Sequence, residues 1–166
     1  MKIKVQRSKF KDQKGQTLVE VLIAMATAVA VLSAIAITVV SSLSNVEFTK
    51  NQNQATQFSR EGLEVVRRLA KSNWTTFETY NAADYCLAKG ATTLTTMGPN
   101  GCGQNVDTFV RKIEIEQNSP SCQLNARIAS IVSWSDSKCG SANVFCHEVT
   151  LDSCIADINS VSFENN

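Results

Sequence analysis

The sequence predicts an α+β protein: a long N-terminal helix, apolar in its first half and amphipathic in its second, packed on a small antiparallel β-sheet head. Three observations predict it. Residues 18–43 form a run of 26 residues with a single charge, Glu20. From Phe48 to Leu69, apolar residues recur at helical spacing opposite a polar face. After Trp74 the chain becomes rich in Thr, Asn and Gly, and short alternating segments replace the helical period. These shifts divide the 166 residues into segments 1–15, 16–45, 46–74 and 75–166.

The first segment is basic. Lys2, Lys4, Arg7, Lys9, Lys11 and Lys14 stand against Asp12 alone, a net charge of +5. The whole-chain value of +1 conceals this asymmetry. An apolar content of 43% with 19% charged residues excludes a generally disordered chain. The near-balance of charge argues against a strongly basic nucleic-acid binder.

The second segment is long enough to span a bilayer. As a helix, residues 18–43 extend about 39 Å at ~1.5 Å per residue, against a hydrocarbon core of ~30 Å. The positive-inside rule leaves the basic segment cytoplasmic and everything after Leu43 outside. Two plain readings compete. A secretory signal would be cut after a small-x-small triplet such as Ala28-Val29-Ala30 or Ala34-Ile35-Ala36, but the apolar run is too long and carries a carboxylate at its head. A single-pass anchor accounts for length and orientation but not for Glu20. An ionised carboxylate in such a helix costs about 2–3 kcal/mol at the bilayer centre, and less near the interface, unless it finds a partner.

The phrase Lys14-Gly15-Gln16-Thr17-Leu18-Val19-Glu20-Val21-Leu22-Ile23 resembles the prepilin-type cleavage and methylation motif of type IV pilins and secretion pseudopilins. The resemblance implies cleavage after Gly15 by a membrane prepilin peptidase that also methylates the new N-terminus. Gln16 would then start the mature chain, where most members have Phe, and Glu20 would be the family's glutamate. The implied product is a filament subunit, a pilin or minor pilin. Its partners would be other subunits, the peptidase/N-methyltransferase, an inner-membrane assembly platform and, before assembly, the membrane itself. It would be a single-pass membrane protein with its leader cytoplasmic and its head extracytoplasmic, and later part of an extracellular or periplasmic filament. A type II secretion or DNA-uptake pseudopilin and a non-polymerising, membrane-anchored binding module are the alternatives. An amine at Gln16 and the Glu20 carboxylate sit at similar membrane depth. They can pair between staggered subunits, or within one helix, since they are four residues apart. Ala24, Ala26, Ala28, Ala30, Ser33, Ala34 and Ala36 permit close helix packing; alanine is also simply a good helix former.

The helical pattern continues beyond Leu43. Phe48, Ala55, Phe58, Gly62, Val66 and Leu69 form one stripe, with Lys50, Asn51, Asn53, Gln54, Arg60, Glu61, Glu64 and Arg67 between them. No proline occurs before Pro99. One helix from about Gln16 to about Ser72 is expected, about 85 Å long at ~1.5 Å per residue. Arg67, Arg68 and Lys71 suit its C-terminal dipole, and Asn73-Trp74 is its exit. Gly62 marks either a close approach to the sheet or a flexible point. The phrase Glu61–Arg68 followed by Asn73-Trp74 also resembles, more loosely, the helix exit of one pilin-like group with a small secreted head.

In the head, residues 75–105 read as a connecting loop with a turn at Gly98-Pro99-Asn100-Gly101. A first strand spans Phe109–Glu116, with Phe109, Ile113 and Ile115 on one face and Lys112, Glu114 and Glu116 on the other. A second spans Asn125–Trp134, with Ala126, Ile128, Val132 and Trp134 inward. A third spans Asn143–Asp152, with Phe145, Val149 and Leu151 together, and Ile155–Phe163 is a candidate fourth. Laid against the amphipathic half-helix, such a meander buries both apolar surfaces. It is also the pilin fold that the resemblance implies.

All six cysteines lie in the head: Cys86, Cys102, Cys122, Cys139, Cys146 and Cys154. In an exported head they read as up to three disulfides, with fifteen possible connectivities. If the second and third strands turn near Lys138, Cys122 and Cys154 fall opposite each other. Cys139 could then close a short loop with Cys146, leaving Cys86 with Cys102. There is no C-x-x-C pair, so no metal site and no cofactor are expected. Nor is a catalytic constellation. His147, the single histidine, reads as a surface or packing residue. Asp152 and Asp157 are too few for a calcium site, and Arg111, Lys112 and Arg127 too few for a nucleic-acid surface. With cleavage after Gly15, the remaining 151 residues carry 10 basic and 14 acidic side chains, net −4.

Overall fold

The computed structural model describes residues 16–81, 84–123 and 125–157. Helix α1 runs from Gln16 to Ser72 as one element. A four-residue helix α2, Trp74–Phe77, follows. The strands are β1 (Asp84–Cys86), β2 (Thr95–Thr96), β3 (Val110–Ser119), β4 (Asn125–Trp134) and β5 (His147–Ile155), with a single 3-10 turn, Pro120–Cys122, between β3 and β4. They form one five-stranded antiparallel sheet in the order β2-β1-β3-β4-β5. The protein is therefore α+β, with a long apolar N-terminal helix whose second half packs on the sheet. The chain falls into two compact units, one ending at Val46 and one beginning at Glu47.

In the first unit, the described residues 16–46 are all helix, and the large apolar side chains from Leu18 to Val46 are exposed. α1 is the one described helix long and apolar enough to cross a membrane. Three hydroxyls of this run are satisfied inside the helix. Thr27, Ser33 and Thr38 donate to the carbonyls of Ala24, Val29 and Ile35 at 2.8–2.9 Å.

In the second unit, the face of α1 that meets the sheet is lined by small residues. Ala55, Ser59, Gly62, Val66 and Ala70 are buried, with Leu63 and Val65 beside them. The expected stripe named Phe48, Phe58 and Leu69 as well; these are half-buried and flank the line of closest contact. A hydrophobicity pattern favours the large residues, whereas the closest packing needs small ones. A Cβ added at Gly62 would lie 2.6 Å from Ser130 Oγ, 3.1 Å from Ile113 Cδ1 and 3.2 Å from Arg111 Cδ. Gly62 is thus the close-approach residue, and the Ser59 hydroxyl beside it donates to the Ser130 carbonyl at 2.8 Å.

Helix α1 ends at Ser72 because Asn73 turns to an extended backbone (φ −158°) and uses its side chain to cap α2, accepting from the Thr76 N–H at 2.9 Å. The expected loop of 75–105 contains α2, β1 and β2, elements too short to show a period. Its turn at Gly98–Gly101 is present, closed by the Gly101 N–H to the Gly98 carbonyl at 3.0 Å.

β3 and β4 bury one face each: Arg111, Ile113, Ile115 and Ser119 on β3, and Ala126, Ile128, Ser130, Val132 and Trp134 on β4. Between Glu116 and Ser119 the ladder bulges, with Asn118 at φ 55°. The bulge directs the Gln117 amide to the carbonyls of Phe77 and Tyr80, at 3.0 and 2.9 Å, which fixes the segment leaving α2.

The third strand is displaced from its expected position. β5 begins at His147, because Asn143–Cys146 belongs to the preceding loop. Val149 and Leu151 share a face as expected, while Phe145 lies outside the strand. Of the candidate strand Ile155–Phe163, Ile155 ends β5 and residues 158–163 lie outside the described residues.

The three disulfides are Cys86–Cys102, Cys122–Cys154 and Cys139–Cys146, with Cα–Cα distances of 5.3, 5.5 and 5.4 Å. The register that suggested Cys122–Cys154 is nevertheless wrong. Trp134 pairs with His147, and Cys154 faces Arg127 across the ladder. The β4–β5 connection is thus centred beyond Lys138, and Cys122 reaches Cys154 from the 3-10 turn ahead of β4. In the chain-entropy account, the 32-residue Cys122–Cys154 separation gives about 3.7 kcal/mol and the seven-residue Cys139–Cys146 separation about 2.4 kcal/mol.

Gly62→Val is expected to destabilise the head by about 1–3 kcal/mol through overpacking, with Ser130→Gly recovering part of the loss. Thermal unfolding of the detergent-solubilised chain, followed by near-ultraviolet circular dichroism, checks this.

Candidate functional site

Three places in the chain concentrate unusual chemistry. The first is the apolar half of α1. Glu20 is exposed on it and has no side-chain partner among the described residues. Gly15 and the rest of the basic segment lie outside the described residues. Glu20 is the one charge between Leu18 and Leu43.

The second is Arg111, whose side chain is fully buried against the helix. Its Nε donates to the Leu87 carbonyl at 3.0 Å, Nη2 to the Ala88 carbonyl at 2.9 Å and Nη1 to the Phe58 carbonyl at 2.9 Å. Phe58 belongs to α1, whereas Leu87 and Ala88 follow β1. One guanidinium therefore ties helix, sheet and loop together. Asn105 holds the Arg111 backbone from both sides: its Oδ1 accepts from the Arg111 N–H at 2.7 Å, and its Nδ2 donates to the Arg111 carbonyl at 2.9 Å. Burial pulls the Arg111 guanidinium below its ordinary pKa, and Glu61, 3.5 Å from Nη1, opposes that shift. The Glu61 side chain is 42% exposed. Solvent screens that ion pair, and the carbonyl bonds provide most of the hold.

The other basic residues weighed for a nucleic-acid surface are engaged by carboxylates. Lys112 lies between Glu114, at 2.6 Å, and Asp84, at 3.5 Å. Burial lowers its pKa, but the two carboxylates outweigh this and hold it above the usual lysine value. Arg127 pairs with Asp152 and approaches Glu116 at 3.9 Å. Asp152 is thereby committed to an ion pair.

The third place is the β4–β5 loop. Asp136, Cys139, Cys146 and His147 gather there, with one donor atom of each within 4.8 Å of all the others. Asp136 Oδ1 accepts from the Lys138 N–H at 2.7 Å. That bond holds the Asp136 carboxyl below its ordinary pKa; partial burial opposes the shift and His147 adds to it. His147 Nε2 lies 3.0 Å from Asp136 Oδ2, within ion-pair distance but without the alignment of a hydrogen bond. The imidazole packs on Phe48 and Trp134, at ring-centroid distances of 5.1 and 5.4 Å. His147 is thus a packing residue, as its strand position suggested, and also part of a polar cluster.

The residue missed in the sequence is Arg111. Its signal was present: it occupies an inward position in the alternation Phe109, Arg111, Ile113, Ile115, and a charge on an apolar face requires partners. The proximity of Asp136, Cys139, Cys146 and His147 does not follow from their spacing, because the path of the loop between β4 and β5 sets it.

No family model, curated protein or solved structure matches this chain.

Replacing Arg111 by Met leaves one buried and two part-buried carbonyls without their donor and is expected to cost about 3–5 kcal/mol. Arg111→Lys should recover little, because a single ammonium cannot span three diverging acceptors. Melting temperatures of the two variants test this; equal recovery by Lys would show that charge alone suffices.

Proposed function

We propose that this chain is a structural subunit of a type IV pilus-like filament, made as a membrane-bound precursor, cleaved after Gly15 by a prepilin peptidase and assembled through the apolar half of α1. The observation that carries the reading is Glu20: the one charge in an exposed apolar helical run, five residues after Gly15 and a basic segment in the sequence. A lone carboxylate in hydrocarbon needs a partner. Cleavage creates an α-amine at Gln16 that can be that partner, in the same helix or in a neighbouring copy.

The rest of the chain suits the same reading. A run apolar on all sides can rest in the bilayer before assembly and pack against other copies afterwards. Three disulfides suit a head exposed outside the cytoplasm. The partners are then further copies of the subunit, the peptidase/N-methyltransferase and an inner-membrane assembly platform.

Amino-terminal sequencing of the membrane-extracted protein should begin at Gln16. An intact Met1 favours the anchored binding module, and a start at Val31 or Ile37 an ordinary secretory signal. Glu20→Ala should leave membrane insertion unchanged and strongly reduce recovery of the protein in sheared surface filaments. Undiminished recovery would sink the proposed pairing.

A further inference from the structure

We propose that the β4–β5 loop is a thiol-gated site for a zinc-class divalent cation: in the dithiol state, Cys139 and Cys146 join Asp136 and His147 as four ligands of one ion, in place of the disulfide. The donor set is chemically coherent. Two thiolates, one imidazole and one carboxylate are the groups that hold zinc in tetrahedral sites. In such a site, neighbouring ligand atoms stand about 3.3–3.8 Å apart, from metal–ligand distances of about 2.0–2.3 Å. His147 Nε2 and Asp136 Oδ2 are 3.0 Å apart, and all four donors lie within 4.8 Å of one another. The backbone positions of Cys139 and Cys146, with Cα atoms 5.4 Å apart, already suit two ligands of one ion, and only the sulfurs must separate.

The loop is also built around these ligands. Asp136 is oriented by the Lys138 N–H, which occupies Oδ1 and leaves Oδ2 facing His147. The imidazole is held by the rings of Phe48 and Trp134. Its Nε2 is buried and has no aligned hydrogen-bond partner among the described residues. Such outer contacts orient ligands in metal sites. Cys139 and Cys146 are half-buried, within reach of a small thiol.

The chemistry balances. Two equivalents of a small-molecule thiol supply two electrons to the Cys139–Cys146 bond, giving two protein thiols and one small-molecule disulfide. The cation then displaces two protons as both sulfurs bind it as thiolates. Metal and disulfide thereby become alternative closures of one short loop, Cys139 to Cys146. A chain that has not yet been oxidised can still fix the start of β5.

The single histidine makes the test specific. The full chain in detergent is titrated with Zn2+, in the oxidised state and after treatment with a non-chelating phosphine reductant, and the imidazole nitrogen NMR signals are followed. The expected result is a saturable shift at one equivalent in the reduced protein only, with saturation at one equivalent lost in Asp136→Asn, which removes a charged ligand. An unchanged signal in the reduced protein, or an equal shift in the oxidised protein, overturns the proposal. Alkylation mapped by peptide mass gives a second measurement that holds even if reduction loosens the head. Bound Zn2+ should protect Cys139 and Cys146 and leave Cys86, Cys102, Cys122 and Cys154 reactive. Uniform protection of all six, or none, overturns it equally.

Discussion

The head depends on the close contact between the second half of α1 and the centre of the sheet. At Gly62 no Cβ separates helix from strand, and the Ser59 hydroxyl bonds directly to the Ser130 carbonyl. Contact this tight brings backbone carbonyls into a dry interface, where an unpaired acceptor is costly. Arg111 meets that cost. Its planar fork takes one carbonyl from the helix and two from the chain after β1, so the same side chain that fills the seam also satisfies it. Larger residues then close both ends: Phe77, Leu87 and Ile115 in one cluster, Phe109, Val132 and Trp134 in the other.

Arg111 and Glu20 are two solutions to one electrostatic problem. Both are charges in apolar surroundings. Arg111 finds its partners within its own chain. Glu20 has no side-chain partner among the described residues, and its surroundings are large exposed apolar side chains. In the proposed filament its partner is an α-amine created by cleavage, at a depth set by the helix itself. The burial that makes Arg111 a structural residue would, on that reading, make Glu20 a register residue.

The disulfides act where the sheet is weakest. β1 and β2 have three and two residues, too few to hold themselves, and Cys86–Cys102 ties their segment to the chain leading into β3. Cys122–Cys154 ties the 3-10 turn before β4 to the far end of the edge strand β5. Cys139–Cys146 closes the long connection that delivers β5 to β4.

The fold class was legible because its signals are long. A 26-residue apolar run, a helical stripe and two alternating segments outweigh local noise: α1 and β4 stand where periodicity placed them, and β3, expected at Phe109–Glu116, runs from Val110 past its bulge to Ser119. The start of β5 was not legible, because Asn143–Cys146 has strand composition yet lies in the loop that the Cys139–Cys146 disulfide closes. The Cys122–Cys154 pairing was reached through a mistaken symmetry, since a ladder's register depends on turn geometry that composition does not contain. Sequence by itself determined which segments are apolar, which alternate and where the one charge of the long run stands; these are properties of residue order. Tertiary structure alone decided that Arg111 is a buried clasp, that Gly62 is a contact and not a hinge, and that Asp136, Cys139, Cys146 and His147 meet. The first two depend on distances between residues far apart along the chain, and the third on the path of one loop; only packing sets either.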